Sequence, residues 1–310
     1  MPVAFITHPD CLKHEMGAHH PERPQRLTAV EEEITAEGLQ DQIKRYEAPL
    51  ATDEQLARVH PLEYVRAVRD AAPEHGTVHL DPDTAMNPYT LNAALRAAGA
   101  AALAIDLVLK KQHPSAFCNV RPPGHHACRA RPMGFCIFNN VAVAAKHAIE
   151  AHGLERVAIV DFDVHHGNGT EDIFEGDEQV LMASIFQHPF YPYSGTDDPA
   201  SNMFNVPLAA GSGGRELRKA VTDVWLPALE EFRPELILFS AGFDAHVEDD
   251  MAMLRFVDQD YAWVTQQVKA IAERHAGGRI VSVLEGGYSL PALGRSAVEH
   301  LRVLAGLGRG

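Results

Sequence analysis

"RVAIVDFDVHHGNGT", residues 156–170, runs from a β-branched apolar stretch into two aspartates, two histidines and a glycine-containing turn. The stretch 156–164 reads as a buried strand whose polar residues gather at its carboxyl end. Three more runs share its character: "QVLMASIF" (179–186), "ELILFSAGF" (235–243) and "RIVSVLEGG" (279–287). Residues 3–6 and 115–120 read as further strands. Helical spacing is expected over 22–37, 90–111, 139–152 (stopped by Gly153), 214–232, 258–276 and 290–307. Continuous apolar strands separated by helices predict a parallel sheet covered on both faces. No repeat, low-complexity stretch or linker divides the chain, so a single α/β domain over 1–310 is expected. In such sheets ligands bind beyond the carboxyl ends of the strands. Asp161, Asp163 and His165 end one strand, Asp244 follows another, and 285–288 follow a third.

Composition narrows the function classes. The 310 residues are 46% hydrophobic and 22% charged, which is a globular composition. Twenty-seven basic against 42 acidic residues give a net charge of −15, with no Lys/Arg cluster to offset it. Direct nucleic-acid binding is therefore not expected, whereas a substrate carrying positive charge would be attracted. No apolar run is read as a membrane span and no signal peptide is read at the start, so no membrane partner is expected. Four separated cysteines exclude a disulfide scaffold and point to a reducing, cytoplasmic setting. Eighteen histidines, several in adjacent pairs, direct attention to a metal or acid/base site.

In "DFDVHHGNGT" (161–170), residues two apart share a face of a strand, so Asp163 and His165 can reach one metal ion together. Asp161, one step back, suits a supporting or monovalent-cation role. A carboxylate with an imidazole suits zinc and leaves it short of ligands. "SAGFDAH" (240–246) offers Asp244 or His246 as the third. In "RPPGHHACRARPMGFCIFNN" (121–140), a rigid Pro-Pro-Gly turn presents His125 and His126 from a loop. Adjacent histidines can differ in basicity through their partners, so one can take a proton while the other stays charged. In "LEGGYSL" (284–290), a flexible Gly-Gly turn is expected to present the Tyr288 phenol, which can donate a hydrogen bond to a developing oxyanion.

Taken together, these segments resemble the histone deacetylase family of zinc amidohydrolases, in a bacterial class II-like branch. The resemblance runs from "HHPERPQRL" (19–27) to "LEGGY" (284–288), with motif order and spacing intact. It implies an arginase/deacetylase-like fold with a central eight-stranded parallel sheet. It also implies Asp163, His165 and Asp244 as zinc ligands, His125 and His126 as the tandem histidines, and Tyr288 as the catalytic tyrosine. Asp161 matches the partner of His125 and Asn168 the partner of His126. An amide stabilises an imidazolium less than a carboxylate does, so His126 should be the less basic and serve as general base. A structural potassium ion would draw on Asp161 and Ser184, with backbone oxygens of Asp163, His165 and Ile185. A second would fall near Phe174, Asp177 and Val180. Gly134 and Phe135 resemble one wall of a substrate tunnel and Tyr191 the opposing aromatic, with Phe190 and Tyr193 as alternatives.

The implied reaction is hydrolysis of a small acylated amine or an acetyl-lysine peptide to acetate and free amine. The alternative is an acetylpolyamine amidohydrolase. Met251 falls at the expected tunnel mouth, where polyamine-selective relatives of one branch carry a glutamate, so lysine-type substrates are expected to be preferred. Glu248, Asp249 and Asp250 beside it read as a solvated acidic loop. Two further classes differ more. A binuclear ureohydrolase of the arginase kind would need a second set of ligands, and a non-catalytic acyl-amine binding protein would be expected to have lost Tyr288 or a histidine.

Overall fold

The structure, a computed structural model, describes residues 1–307; the last three positions of the expected 1–310 domain lie outside the described residues. The main sheet has eight strands in the order β2-β1-β5-β10-β9-β6-β7-β8. They are β1 (Val3–Thr7), β2 (Ile43–Glu47), β5 (Ser115–Cys118), β6 (Val157–Asp161), β7 (Val180–Gln187), β8 (Met203–Leu208), β9 (Leu236–Ala241) and β10 (Ile280–Leu284). Every pairing between them is parallel. A separate antiparallel hairpin joins β3 (Val78–Asp81) to β4 (Thr84–Met86).

Strands β5, β6, β7, β9 and β10 are buried at every residue, as a sheet covered on both faces requires. On one side, α4 (Thr90–Leu109) and α5 (Asn140–His152) pack together and against β1, β5, β6, β9 and β10. On the other, α1 (Gln25–Ala36), α10 (Leu290–Leu304) and α9 (Asp258–His275) lie side by side, α10 reaching β5. Shorter helices complete the fold: α2 (Asp53–Ala57), α3 (Leu62–Ala71), α6 (Asn168–Phe174), α7 (Gly214–Ala220) and α8 (Leu226–Phe232).

Three expectations need correction. The helix expected over 214–232 is broken into α7 and α8 by a π-helical turn at Val221–Trp225, just before Pro227, which has no N–H to give the ladder. Strands β2 and β8 went unread because they are edges: "IKRYE" is charged and half-exposed, and β8 contains Pro207. Finally, α4 has 20 residues and is apolar enough to span a membrane by length and composition, contrary to expectation. Seventy-two per cent of that window is buried inside the fold, so its apolar character serves packing.

Candidate metal and catalytic site

Strands β5, β10, β9 and β6 are consecutive neighbours, so their carboxyl ends open on one stretch of the sheet edge. Asp161 closes β6, but Asp163 and His165 lie beyond it and not on the strand as expected. Asp161 Oδ1 accepts the Asp163 N–H (3.1 Å) and Asp163 Oδ1 accepts the His165 N–H (2.8 Å). These side-chain bonds replace the ladder and turn the chain out of the sheet.

Ligating atoms of Asp163, His165 and Asp244 lie within 4.8 Å of one another, and all three residues are buried. His165 Nδ1 is 3.0 Å from Asp163 Oδ1 and 3.2 Å from Asp244 Oδ2. One ring hydrogen cannot serve both, and Asp244 Oδ2 is left without a donor. Burial lowers the basicity of His165, but the two carboxylates facing it outweigh this and raise it to about 10. Two buried carboxylates facing one imidazole thus form a pocket that holds positive charge, and the donor set fits a zinc ion. The surroundings are cut to these side chains. A Cβ on Gly242 would collide with the Asp163 carboxylate, and one on Gly286 with both Asp163 and Asp244. His246 turns away, its Nε2 3.2 Å from Asp258.

A second cluster, Asp106–His147–His152, differs in kind. Arg58 donates to His147 Nδ1 (2.7 Å), which places the His147 proton on Nε2, 3.1 Å from Asp106 Oδ1. His152 Nε2 is 2.7 Å from the same oxygen and Lys110 3.4 Å from the other. One carboxylate there is already surrounded by donors and cations.

Glu285 fixes the tandem-histidine loop: its Oε2 accepts the N–H groups of Gly124 (2.7 Å) and His125 (3.1 Å). The two imidazoles lie 4.1 Å apart, centre to centre. His125 Nδ1 bonds Asp161 Oδ2 at 2.9 Å, and His126 Nδ1 bonds Asn168 Oδ1 at 2.8 Å. Burial disfavours charge on both rings. At His125 the Asp163 and Asp161 carboxylates overcome it and hold the ring well above its ordinary value. At His126 burial is reinforced by His125 and His165, and the ring is held well below. The sequence reading placed the difference in Asn168; burial and the neighbouring cations are the larger causes.

Tyr288 follows the two glycines, which are close-packed and not the flexible turn expected. The N–H of Gly286 donates to Asp163 Oδ2 (2.8 Å), and Gly287 adopts φ +119°, a region that favours glycine. Arg26 lies 5.0 Å over the Tyr288 ring and donates to the carbonyls of Gly287 (2.6 Å) and Glu285. Burial, then Asp244, pushes the phenol well above its ordinary range, so its proton is retained.

A cavity of about 220 Å³ leads to these groups, lined by Asp83, His126, Gly134, Phe135, His165, Phe190, Tyr191, Met251 and Tyr288. Gly134 must be glycine because a Cβ would collide with the His126 ring. Phe135 sits at φ +68°, strained for a side-chain-bearing residue, and Thr84 Oγ1 holds its N–H at 3.1 Å. Both Phe190 and Tyr191 are wall residues: Phe190 stacks on His165 at 5.6 Å, and Tyr191 meets His126 edge-on at 5.5 Å. Tyr193 is exposed. A larger groove of about 630 Å³ between α9 and α10 holds the paired Lys269 and Glu273 and none of these groups.

Asp83 escaped the sequence reading, and the roles of Glu285 and Asp249 were not read. Asp83 ties the tunnel walls together, accepting the Gly134 N–H and the Tyr191 hydroxyl, each at 2.9 Å. Glu285 was noted only as a strand-end acid, although an acid directly after an apolar strand was the signal. Of the acidic loop, Glu248 and Asp250 are exposed as expected, Glu248 pairing with Arg295 at 2.7 Å, but Asp249 is 5% exposed with both oxygens on backbone N–H groups. Ser184 pairs in register with Asp161 across β6 and β7, and its hydroxyl makes only a 3.5 Å contact with the Ile185 carbonyl. At the second expected potassium site a side chain is present. The carbonyls of Phe174, Asp177 and Val180 converge at 2.8, 3.1 and 2.9 Å on the Asn202 amide nitrogen, which takes the central position.

Comparison with known proteins bears on the family and the fold. The family model described as histone deacetylase domain matches residues 20–304. The histone deacetylase-like amidohydrolase of Pseudomonas aeruginosa is 38% identical over 326 residues, covering 96% of this chain and 86% of that one. The human polyamine deacetylase HDAC10 is 37% identical, covering 99% of this chain and 48% of that one. Among solved structures, the HDA15 HD domain superposes with a TM-score of 0.92 at 34% identity, covering all of this chain and 91% of that one.

Proposed function

The chain belongs to the histone deacetylase family, and from that premise we propose that it hydrolyses the amide of an acylated lysine-type amine at one zinc ion. The carrying observation is the convergence of Asp163, His165 and Asp244 beside His126 and Tyr288 at the end of one narrow cavity. Bound by those three residues, zinc supplies Lewis-acid polarisation of the acyl oxygen and a more acidic water.

The protein's own groups do the rest. With its Nδ1 proton directed at Asn168, His126 keeps Nε2 free to take the proton of the attacking water. His125, held cationic by Asp163 and Asp161, supplies fixed positive charge beside it. The Tyr288 hydroxyl donates to the oxyanion that develops, a contribution of ~3–4 kcal/mol for one such donor. The histidine pair returns a proton to the leaving amine, giving carboxylate and free amine. The aromatic rings of Phe135, Phe190 and Tyr191 grip an aliphatic stem while admitting little bulk.

Lysine-type amides are the preferred substrates in this reading. Met251 offers an adaptable apolar surface. Asp249 is held by backbone N–H groups and so is not free to meet the distant ammonium of an acetylpolyamine, and Glu248 would have to leave Arg295 to do so. A potassium ion beside Asp161 and Ser184 is part of the same reading, supported by their burial and register. The test compares kcat/KM of the zinc-loaded protein on acetyl-lysine peptides, acetylated polyamines and longer acyl-lysines. A ~10-fold preference for an acetylpolyamine overturns the substrate class. Near-native turnover by His126→Ala overturns the assignment of the base.

A further inference from the structure

We infer that Asp249 is a positioning residue for the Tyr288 hydroxyl, an inference that rests on the role proposed for Tyr288. The argument starts from one peptide unit, the planar group joining Gly287 to Tyr288. Its carbonyl oxygen accepts from Arg26 Nε at 2.6 Å, and its N–H donates to Asp249 Oδ2 at 2.6 Å. A cation grips one end of the plane and a carboxylate the other, so the plane cannot rotate without breaking a charge-assisted bond. Its rotation would carry the Cα–Cβ direction of Tyr288 with it. Gly287 at φ +119° is the residue about which such a rotation would occur, because glycine resists it least.

Asp249 is built for this. Its Oδ2 also accepts the Ser289 N–H (3.0 Å) at the start of α10, where the Ser289 side chain makes no cap of its own. Its Oδ1 accepts the Met251 N–H (3.0 Å), so one buried carboxylate sets both the tyrosine and the tunnel wall. The segment carrying it is itself anchored. Asp249 N–H bonds the His246 carbonyl at 2.9 Å, and Val247 and Phe256 N–H groups bond Phe256 and Ala245 carbonyls at 2.8 and 3.0 Å. Asparagine in place of Asp249 keeps the size but has a single acceptor oxygen, so the Tyr288–Ser289 and Met251 N–H groups cannot all be served. A displacement of about 1 Å at a reacting group can lower a rate ~10²-fold.

The experiment is a double-mutant cycle on the zinc-loaded full chain with an acetyl-lysine amide. Asp249→Asn and Asp249→Ser are each made alone and with Tyr288→Phe, and kcat, KM, zinc content and Tm are read. The inference predicts a kcat loss of ~10-fold or more for each single variant, KM changed less than ~3-fold and zinc content unchanged. In the Tyr288→Phe background the same substitutions should cost less than ~2-fold, because the hydroxyl they position is gone. Equal losses in both backgrounds, no loss in kcat, or failure of both variants to fold would each assign Asp249 a general structural role and overturn the inference. Near-native turnover by Tyr288→Phe alone would instead remove the reading of Tyr288, and this inference with it.

Discussion

His126 donates its Nδ1 hydrogen to Asn168 Oδ1 over 2.8 Å, and that bond decides which ring nitrogen can accept a proton. The Asn168 amide nitrogen faces the sulfur atoms of Cys128 (3.5 Å) and Met133 (3.3 Å), which leaves its oxygen for the imidazole. The lone pair is therefore on Nε2, the atom available to the cavity.

Changing this partner should alter the pH dependence of the reaction. Asn168→Asp places a carboxylate against the ring, favours the imidazolium and raises the pH at which the free base appears. The rising limb of kcat against pH should move to higher pH, while Asn168→Leu should lower kcat ~10-fold or more without moving zinc content. A pH–rate profile of the three proteins checks both, and an unmoved limb in Asn168→Asp would count against His126 as the base.

Gly286→Ala should fail at metal binding. Its Cβ would occupy the space of the Asp244 and Asp163 carboxylates and push them from the positions where they converge on His165. Zinc per chain, measured after exhaustive dialysis, is expected to fall well below that of the parent while the far-ultraviolet spectrum is kept.

Tyr288→Phe should retain zinc and fold and lose ~10²-fold or more in kcat, because one oxyanion donor is deleted. Steady-state kinetics with parallel metal analysis separates this from a loss of the ion.

Glu22 controls acid stability behind the cavity, through the arginines it holds. It is fully buried, 3.0 Å from Arg26 and 2.6 Å from Arg121. Burial alone would raise its carboxyl, but Arg121, His14 and Arg26 hold it well below the usual range. A depressed folded-state value gives stability that is complete above the unfolded value of ~4.3 and is lost as pH falls towards the folded one. Glu22→Gln leaves two buried guanidiniums without a counterion and should cost ~3–5 kcal/mol at pH 7. Tm against pH should therefore start lower in the variant and fall less steeply below pH ~5 than in the parent.

Much of this site was readable along the chain because strand ends collect polar residues where an apolar run stops. Asp161, Asp163, His165, Asp244 and Tyr288 stand at such ends, and the sheet brings those ends together. Asp249 and Asp83 were not readable, because their roles depend on backbone N–H groups tens of residues away, which no local pattern reports. The Asn202 amide at the centre of three carbonyls is the same case, a side chain answering a geometry that only the fold creates. Edge strands β2 and β8 were lost for the opposite reason: solvent contact removes the apolar continuity that marks the inner strands.

The most direct test of the account is metal counting joined to turnover on the full chain. Protein stripped with a chelator is titrated with zinc while bound metal and hydrolysis of an acetyl-lysine amide are followed together. The account predicts that activity rises with the first equivalent and saturates at one ion per chain, and that Asp244→Ala binds weakly and stays inactive while His246→Ala behaves as the parent. Two ions bound per chain at saturation of activity, or full turnover by the stripped protein, would contradict it.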